Sequence, residues 1–282
     1  MRFLTLNNLR CVFCIGVTSA YLGATPPATA SGWEDRVSTA GPGDFPAMAT
    51  PFRATYRLGW SNVTAARANV VIKRPSPDAY DFRADAATVG AARTLFTIDA
   101  TMHSTVSTAQ LRPLSFEQNE VRSDKTLREI LRFDAGGAER TRTETFKSGG
   151  KAPRTETKRF DSRALQDFVS AYFYLRSLPL ANGDSQTVAI MSPSVPYLMT
   201  VTVRGREEIS TRAGRFRAIR ISVDAIQRVK DDGTLMPHKR FKNGTVWLSD
   251  DSMRQILRVQ SQIFIGVVFV EIESVTQIAA GR

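Results

Sequence analysis

The sequence predicts a mainly β protein in which a strongly curved antiparallel sheet, or a half-open β-barrel, packs on one principal α-helix. From residue 52 onward, short stretches of alternating apolar and polar residues are separated by turns rich in Gly, Pro, Asn and Asp. This pattern is typical of successive antiparallel strands. Only residues 162–178 clearly have apolar side chains spaced three and four apart, as on one face of a helix. Because that face needs a sheet to bury it, we expect the strands to be arranged around the helix.

The first 30 residues have the layout of a secretory signal peptide. Arg2 and Arg10 precede an apolar run from Cys11 to Ala24, and small residues follow up to Ala30. A basic start, a short apolar run and a small-residue cleavage site are the three parts of such a peptide, and the run is too short to span a bilayer comfortably. We therefore expect an exported, periplasmic protein that is cleaved near Ala30 and has no transmembrane span in its mature chain.

The composition excludes several classes of function. Cys11 and Cys14 are the only cysteines, and both lie in the predicted signal peptide. The mature chain would then have no disulfide, no thiol nucleophile and no cysteine metal ligand, so its stability must come from a core. The formal net charge of +11 could attract anionic lipids or polymers of the envelope. The arginines are scattered along strands without clustered aromatic residues, so no nucleic acid is expected as a partner.

The chain is predicted to be a leader followed by one domain. Residues 31–51 are rich in Gly, Pro, Ala and Thr with little periodicity, which predicts a flexible leader. A single β-rich domain is expected over residues 52–278, and Tyr56, Leu58 and Trp60 alternate in its first strand. The further strands predicted before the long helix cover residues 69–73, 80–86, 101–108, 114–122, 126–133, 139–146 and 155–160.

Two helices are predicted, the long one over residues 162–178 and a short one within residues 89–98, where a strand over residues 95–98 is the alternative. The apolar face of the long helix comprises Leu165, Phe168, Val169, Tyr172, Leu175 and Leu178. Residues suited to its positive N-terminal end are Asp161, Ser162 and Asp167. Arg176 suits its C-terminal end, and Pro179 stops it.

The strand pattern resumes after the helix. The predicted strands are residues 186–191, 197–204, 208–212, 216–223, 244–249, 255–260 and 263–275. The last of them is apolar on both faces as far as Val270, which suits a central or closing strand.

No recognisable catalytic motif is present. His103 and His238 lie in a predicted strand and a predicted loop, and neither belongs to a zinc-protease, nucleophile-elbow or phosphate-loop motif. Asp250 and Asp251 are the most conspicuous carboxylate pair, but adjacent strand residues point to opposite faces, so a role in a turn is favoured over catalysis or cation binding. We therefore expect a protein that is not an enzyme and has no cofactor.

Several stretches together resemble a family of exported bacterial proteins, the domain of unknown function 3108. They are Tyr56-Arg57-Leu58-Gly59-Trp60, Leu111-Arg112-Pro113, the run from Gln166 to Arg176, Gly214-Arg215-Phe216 and Trp247-Leu248-Ser249-Asp250-Asp251. The resemblance covers residues 52–275 and marks Asp167, Arg176, Asp250 and Asp251 as motif residues. It implies a periplasmic, mostly antiparallel β domain and supplies no activity. In outline the chain is also similar to envelope lipoprotein carriers, whose curved sheet wraps a helix and shelters an acyl chain.

The leading hypothesis is a non-catalytic envelope protein that holds a lipid or another apolar ligand in a groove of the sheet. The candidate lining residues are Trp60, Tyr172, Tyr174, Trp247, Phe264 and Phe269. One alternative is a structural or assembly module that binds an envelope protein along a sheet edge. A second is a carboxylate-dependent hydrolase of an envelope polymer. The hydrolase requires a cleft shared by two carboxylates from the set Asp85, Asp99, Asp167, Asp250 and Asp251.

Overall fold

The computed structural model describes residues 32–43, 50–192, 194–238, 243–262 and 266–278. Within these ranges the chain is mainly β, as predicted, with sixteen strands in one sheet and two α-helices. None of the helices in the described ranges has the length and apolar character needed to cross a membrane. The predicted signal peptide and its cleavage site near Ala30 lie outside the described residues.

The first eight strands follow one another around the sheet in chain order. They are β1 (Phe52–Trp60), β2 (Val63–Ser76), β3 (Ala79–Thr88), β4 (Ile98–Ser107), β5 (Pro113–Arg122), β6 (Lys125–Phe133), β7 (Ala138–Phe146) and β8 (Arg154–Phe160). Each pairs antiparallel with the next. A short helix, α1 (Gly90–Leu95), connects β3 to β4 where a short helix was expected.

The second half of the chain extends the same sheet from its other side. Its strands are β9 (Leu165–Gln166), β10 (Ser185–Met191), β11 (Pro196–Thr211), β12 (Gly214–Val229), β13 (Leu235–Pro237), β14 (Gly244–Ser249), β15 (Ile256–Gln262) and β16 (Val267–Gln277). The sheet runs from β8 to β1 and then through β16, β15, β14, β12, β11, β10 and β9, with β13 beside β12. Among the strands of the described ranges, only β9 and β10 pair in parallel. The last strand therefore joins the two halves by pairing with the first, as its apolar sequence suggests.

The long helix, α2, spans Phe168–Ser177 and begins six residues later than predicted. Leu165–Gln166 forms β9 instead, because it pairs with β10, a partner far along the chain. Asp167 is the N-cap: its carboxylate accepts a hydrogen bond from the backbone N–H of Ser170 at 2.6 Å. The prediction that the helix begins at residue 162 was wrong, because the spacing of apolar residues carries no information about pairing with another strand.

The sheet curves around α2, since strands from both halves pack against the helix. Val169 and Phe173 belong to a core cluster with β1, β2 and β3. Ala171 and Tyr174 belong to another cluster with β10, β11, β12 and β14. Phe168, assigned to the buried face by its spacing, is 40% exposed at the first turn of the helix. The helix is thus packed against the sheet on more than the one apolar face that its sequence predicts.

Side chains bring the two ends of the sheet together without backbone pairing between β8 and β9 among the described residues. A third cluster unites Phe116, Leu131, Ala138 and Phe160 with Leu165, Ala189, Met191 and Leu198. The Arg140 guanidinium donates to the carbonyl of Ser194 at 2.8 Å, and Lys158 pairs with Asp231 at 2.6 Å. The sheet is consequently barrel-like in shape and open in its hydrogen bonding.

Candidate functional site

Asp167, the first motif residue, fixes the start of α2 to the sheet. Its second carboxylate oxygen accepts a hydrogen bond from the hydroxyl of Ser104, on β4, at 2.6 Å. Both residues are buried, and burial raises the pKa of the Asp167 carboxyl. With its oxygens engaged by Ser104 and Ser170, this carboxylate serves as a helix anchor.

The other end of α2 is fastened to the loop between β14 and β15. Arg176 is fully buried, and its guanidinium donates to the carbonyl of Met253. The hydroxyl of Tyr172 donates to the carbonyl of Arg254 at 3.2 Å. In return the Arg254 guanidinium donates to the carbonyls of Arg176, at 2.7 Å, and of Leu178. A cation at the carbonyl end of a helix also interacts favourably with the negative end of the helix dipole.

Asp250 and Asp251 belong to this same loop and have separate partners. Asp251 accepts hydrogen bonds from the hydroxyl of Ser249 at 2.7 Å and from the backbone N–H groups of Met253 and Arg254 at 2.8 and 3.0 Å. Asp250 lies 3.5 Å from the guanidinium groups of two arginines on β11 and β12. The motif residues of the helix and of the loop therefore meet, and together they fix α2 within the sheet.

The aromatic residues proposed to line a groove are engaged in different local contacts. The guanidinium of Arg57 lies over the ring of Phe269, and its Cζ is 4.6 Å from the ring centroid. The indole N–H of Trp247 donates to Glu207 at 2.6 Å. Trp60 is half-buried at the end of β1, and Tyr172 is held by the loop described above. Phe264 lies outside the described residues. Of the set, Tyr174 is the one whose hydroxyl reaches the rim of a cavity.

That cavity is an apolar pocket of about 170 Å³ beside the C-terminal half of α2. Its lining residues are Ala40, Leu175, Leu178, Pro179, Leu180, Asp184, Gln186, Val201, Val203 and Ile221. The Tyr174 hydroxyl lies 3.1 Å from the carbonyl of Ala40 and 3.3 Å from the amide oxygen of Gln186. The sequence did not reveal this pocket, because its walls come from segments far apart in the chain.

The N-terminal segment, residues 32–43, lies across this pocket and against β10. The backbone N–H of Ser38 donates to the carbonyl of Thr187 at 2.9 Å, and its hydroxyl accepts from the N–H of Thr187 at 2.9 Å. The N–H of Gly43 donates to the hydroxyl of Ser177 at 3.0 Å. A Cβ at Gly43 would lie 2.1 Å from the Ser177 carbonyl oxygen, so only glycine fits there. The segment assigned to the leader by its composition thus covers the pocket through specific contacts.

A larger and more open recess of about 400 Å³ lies between β2, β3, β4 and β5, and small apolar side chains form much of its lining beside several polar ones. Asp85 and Asp99, two of the carboxylates considered for a hydrolase, both line it. Asp99 is bound through both oxygens by Arg93, at 2.7 and 3.1 Å, and this hydrogen bonding lowers the pKa of Asp99. A carboxyl held ionised in this way is a poor general acid. The other three candidates, Asp167, Asp250 and Asp251, do not line this recess.

A buried group of charged side chains on β6 and β7 was missed by the sequence analysis. Glu129 and Arg142 face each other in the register, with 3.7 Å between the carboxylate and the guanidinium. Arg142 also donates to Glu144 at 2.6 Å. Burial raises the pKa of Glu129 to about 7, although Arg142 and Arg140 favour its ionised form. Polar residues alternate along these strands, and only the assembled sheet shows that Glu129 is buried.

The histidines have ordinary partners. The ring of His103 lies 2.5 Å from the carboxylate of Asp81, on the neighbouring strand, and His238 packs near the ring of Tyr197. Across the ranges of chain that the structure describes, no group of three His, Cys, Asp or Glu residues is arranged to hold a metal ion.

Comparison with known proteins identifies a family and a fold. Residues 52–273 match the family described as protein of unknown function, DUF3108. A β-barrel-like protein of the domain of unknown function DUF1849 from Brucella abortus is similar in structure, with a TM-score of 0.53, 10% identity, and coverage of 82% of this chain and 98% of that one. At that identity the likeness bears on the fold alone. No curated protein matches the chain.

Two further solved structures resemble the chain more distantly. A candidate exported protein with a YmcC-like fold from Bacteroides fragilis has a TM-score of 0.31 and 9% identity, covering 84% of this chain and 98% of that one. A candidate lipoprotein from Parabacteroides distasonis has a TM-score of 0.33 and 7% identity, covering 84% and 100%. Their TM-scores are too low to support an argument about this protein.

Proposed function

The chain belongs to the DUF3108 family of proteins of unknown function, and from this premise we propose that it is an exported, non-catalytic protein that binds an apolar envelope ligand such as a lipid acyl chain. The binding site is the pocket beside α2. The observation that carries the proposal is this apolar pocket, whose cover is a segment of the same chain.

The size of the pocket suits the end of an apolar chain. An apolar cavity of about 150 Å³ inside a protein is known to hold a ligand of the size of benzene, and this pocket measures about 170 Å³. A longer acyl chain requires more room along α2, which becomes available when residues 38–43 lift. Each hydrogen bond that holds the segment contributes about 0.5–1.5 kcal/mol, so burying a few methylene groups, at about 0.8 kcal/mol each, can offset its displacement.

The placement of the carboxylates favours binding over catalysis. Asp167 caps α2, Asp251 holds the loop after β14, and Asp99 is paired with Arg93. Each of these is committed to a structural contact, and Asp250 lies beside two arginines, so of the five candidate carboxylates only Asp85 is left for a hydrolase. We therefore give the hydrolase less weight than the binding protein.

An assembly module that adds a strand at the sheet edge is also less favoured. The edge strand β8 exposes Arg154 and Glu156, and charged edge residues oppose pairing with another chain. At the other end, β10 is paired with β9 and bound by Ser38. Both ends of the sheet are thus protected against strand addition.

Two glycine variants test the proposal. In Gly43→Ala the new Cβ would collide with the Ser177 carbonyl, so the covering segment should be displaced, whereas the Cβ in Gly41→Ala has nothing within 4 Å. The probe is dansyl-labelled undecanoic acid, followed by fluorescence. We expect saturable binding to the wild-type protein, association at least threefold faster in Gly43→Ala, and no change in Gly41→Ala.

Two results would contradict the proposal. The first is the absence of saturable binding in both the wild-type protein and Gly43→Ala. The second is the same association rate in all three proteins, which would show that the covering segment does not control ligand entry. Trp33, which packs against the domain, contributes to the tryptophan emission, so a change of emission in ligand-free Gly43→Ala but not in Gly41→Ala reports that the segment has moved.

A further inference from the structure

Four polar side chains form a straight row on the side of the sheet that carries the larger recess. Asn69, Asp85, Thr101 and Asn119 stand directly opposite one another on β2, β3, β4 and β5. Opposed residues in neighbouring strands point to the same face, and strands lie roughly 4.8 Å apart. The row is therefore about 14 Å long, three inter-strand spacings, and all four of its residues line the recess.

The recess lies where the next row of opposed residues has a small side chain between two charged ones that are already paired. In that row Ala87 stands opposite Arg67 on one side and Asp99 on the other. Arg67 donates to Glu273 at 2.8 Å, and Asp99 is held by Arg93. Neither Glu273 nor Arg93 is among the lining residues. Arg67 and Asp99 are thus paired with residues that do not line the recess, and the small side chain of Ala87 leaves space beside the polar row.

The row has hydrogen-bonding capacity that the protein does not use. Asn69 accepts a hydrogen bond from the hydroxyl of Thr55 at 3.1 Å. Among the described residues, the side chains of Asp85, Thr101 and Asn119 have no hydrogen bond or ion pair. They offer a carboxylate that accepts, and a hydroxyl and a carboxamide that both donate and accept. A ligand lying along the row must supply donors and acceptors at short intervals.

We propose that this recess binds a carbohydrate chain, so that the protein has a glycan site separate from the apolar pocket. Sugar hydroxyls donate and accept hydrogen bonds, which matches the mixed row. An anionic ligand would be repelled by Asp85, which is exposed and has no cation bound to it among the described residues. An alkyl chain would cover the apolar part of the lining but leave the hydrogen-bonding groups of the row unused. The apolar pocket and the recess share no lining residue, so the two sites can be tested independently.

The glycan is expected to bind weakly and through hydrogen bonds. Aromatic side chains, on which sugar rings could stack, are not among the residues lining the recess. Removing one hydrogen-bonding group of the row should therefore weaken the affinity for the glycan by a large factor. Loss of a hydrogen bond to a charged group is worth about tenfold in affinity, and this sets the change expected for Asp85→Ala.

The test is an NMR titration of the ¹⁵N-labelled protein with the β-1,4-linked tetramer of N-acetylglucosamine. Thr101→Ala removes a hydroxyl from the row, and Thr105→Ala is its matched control on the same strand and the same face, outside the recess. In the wild-type protein we expect saturable shifts of amides on β2 to β5. Asp85→Ala should raise Kd at least tenfold and Thr101→Ala several-fold, whereas Thr105→Ala should leave Kd unchanged.

A third variant and an anion complete the design. Ala87→Leu, which fills the recess, should abolish the shifts while the spectrum remains that of a folded protein. Inorganic phosphate should leave the same amides unshifted. The proposal is overturned if the tetramer gives no saturable shifts, if Asp85→Ala binds like Thr105→Ala, or if phosphate shifts these amides and the tetramer does not.

Discussion

Replacing Asp167 by alanine should destabilise the protein strongly, whereas replacing it by asparagine should not. Asp167 accepts two hydrogen bonds at 2.6 Å, one from the N–H of Ser170 and one from the hydroxyl of Ser104. Loss of an N-cap costs about 0.5–2 kcal/mol. The hydroxyl of Ser104, which is 0% exposed, would then lose its partner, for about 1–3 kcal/mol more. The sum predicts a loss of roughly 1.5–5 kcal/mol for Asp167→Ala.

Asparagine keeps the acceptor for Ser170 and removes a charge that burial disfavours, as the raised pKa of Asp167 indicates. We therefore expect Asp167→Asn to lose less than about 1 kcal/mol. Urea denaturation followed by circular dichroism measures both variants. Asp161→Ala is the control, because Asp161 is exposed and its ion pair with Arg159 lies at the surface. Equal losses for alanine and asparagine, or a loss below about 0.5 kcal/mol for alanine, would refute the anchoring role.

Three further predictions concern other parts of the molecule. Because the folded pKa of Glu129 is about 7 and its ordinary value is 4.5, the folded state binds this proton more tightly, so stability should fall as pH rises between these values, by up to about 3 kcal/mol. Urea denaturation at pH 5 and pH 8 should show this fall, and a Glu129→Gln variant with the same fall would contradict it. Arg254→Ala removes the guanidinium from the carbonyls at the end of α2 and should lose about 1–3 kcal/mol. Hydrogen exchange should then rise at residues 174–180, and an unchanged exchange rate there would count against the clamp. Sequencing of the mature N-terminus from a periplasmic fraction should begin near residue 31, and recovery of the chain in the cytoplasm with Met1 intact would exclude export.

Local patterns predicted the strands because each strand is specified by its own alternation and its own turns. In β3, Tyr80, Phe82, Ala84 and Ala86 are buried and alternate with more exposed neighbours, as the sequence indicates. The last strand is apolar on both faces as far as Val270, and it lies between two partners, β1 and β15. Such features depend on residues next to one another in the chain.

The start of α2 and both cavities could not be predicted, because they depend on distant partners. Leu165 has the spacing of a helix residue, but it pairs with Ala189. The apolar pocket brings Ala40 to Val203, and no local pattern relates these residues. The larger recess depends on the strand register, which places the small side chain of Ala87 between two larger ones. Composition likewise suggested a flexible segment where Ser38 and Gly43 make specific contacts.

Native mass spectrometry after incubation with palmitic acid tests most directly whether the protein holds an apolar ligand beside α2. Leu175→Trp places a larger side chain at a half-buried position of the pocket wall and should block it. We predict one bound molecule per wild-type chain and none in the variant. An unchanged mass for the wild-type protein, or equal loading of both proteins, would contradict the proposed site.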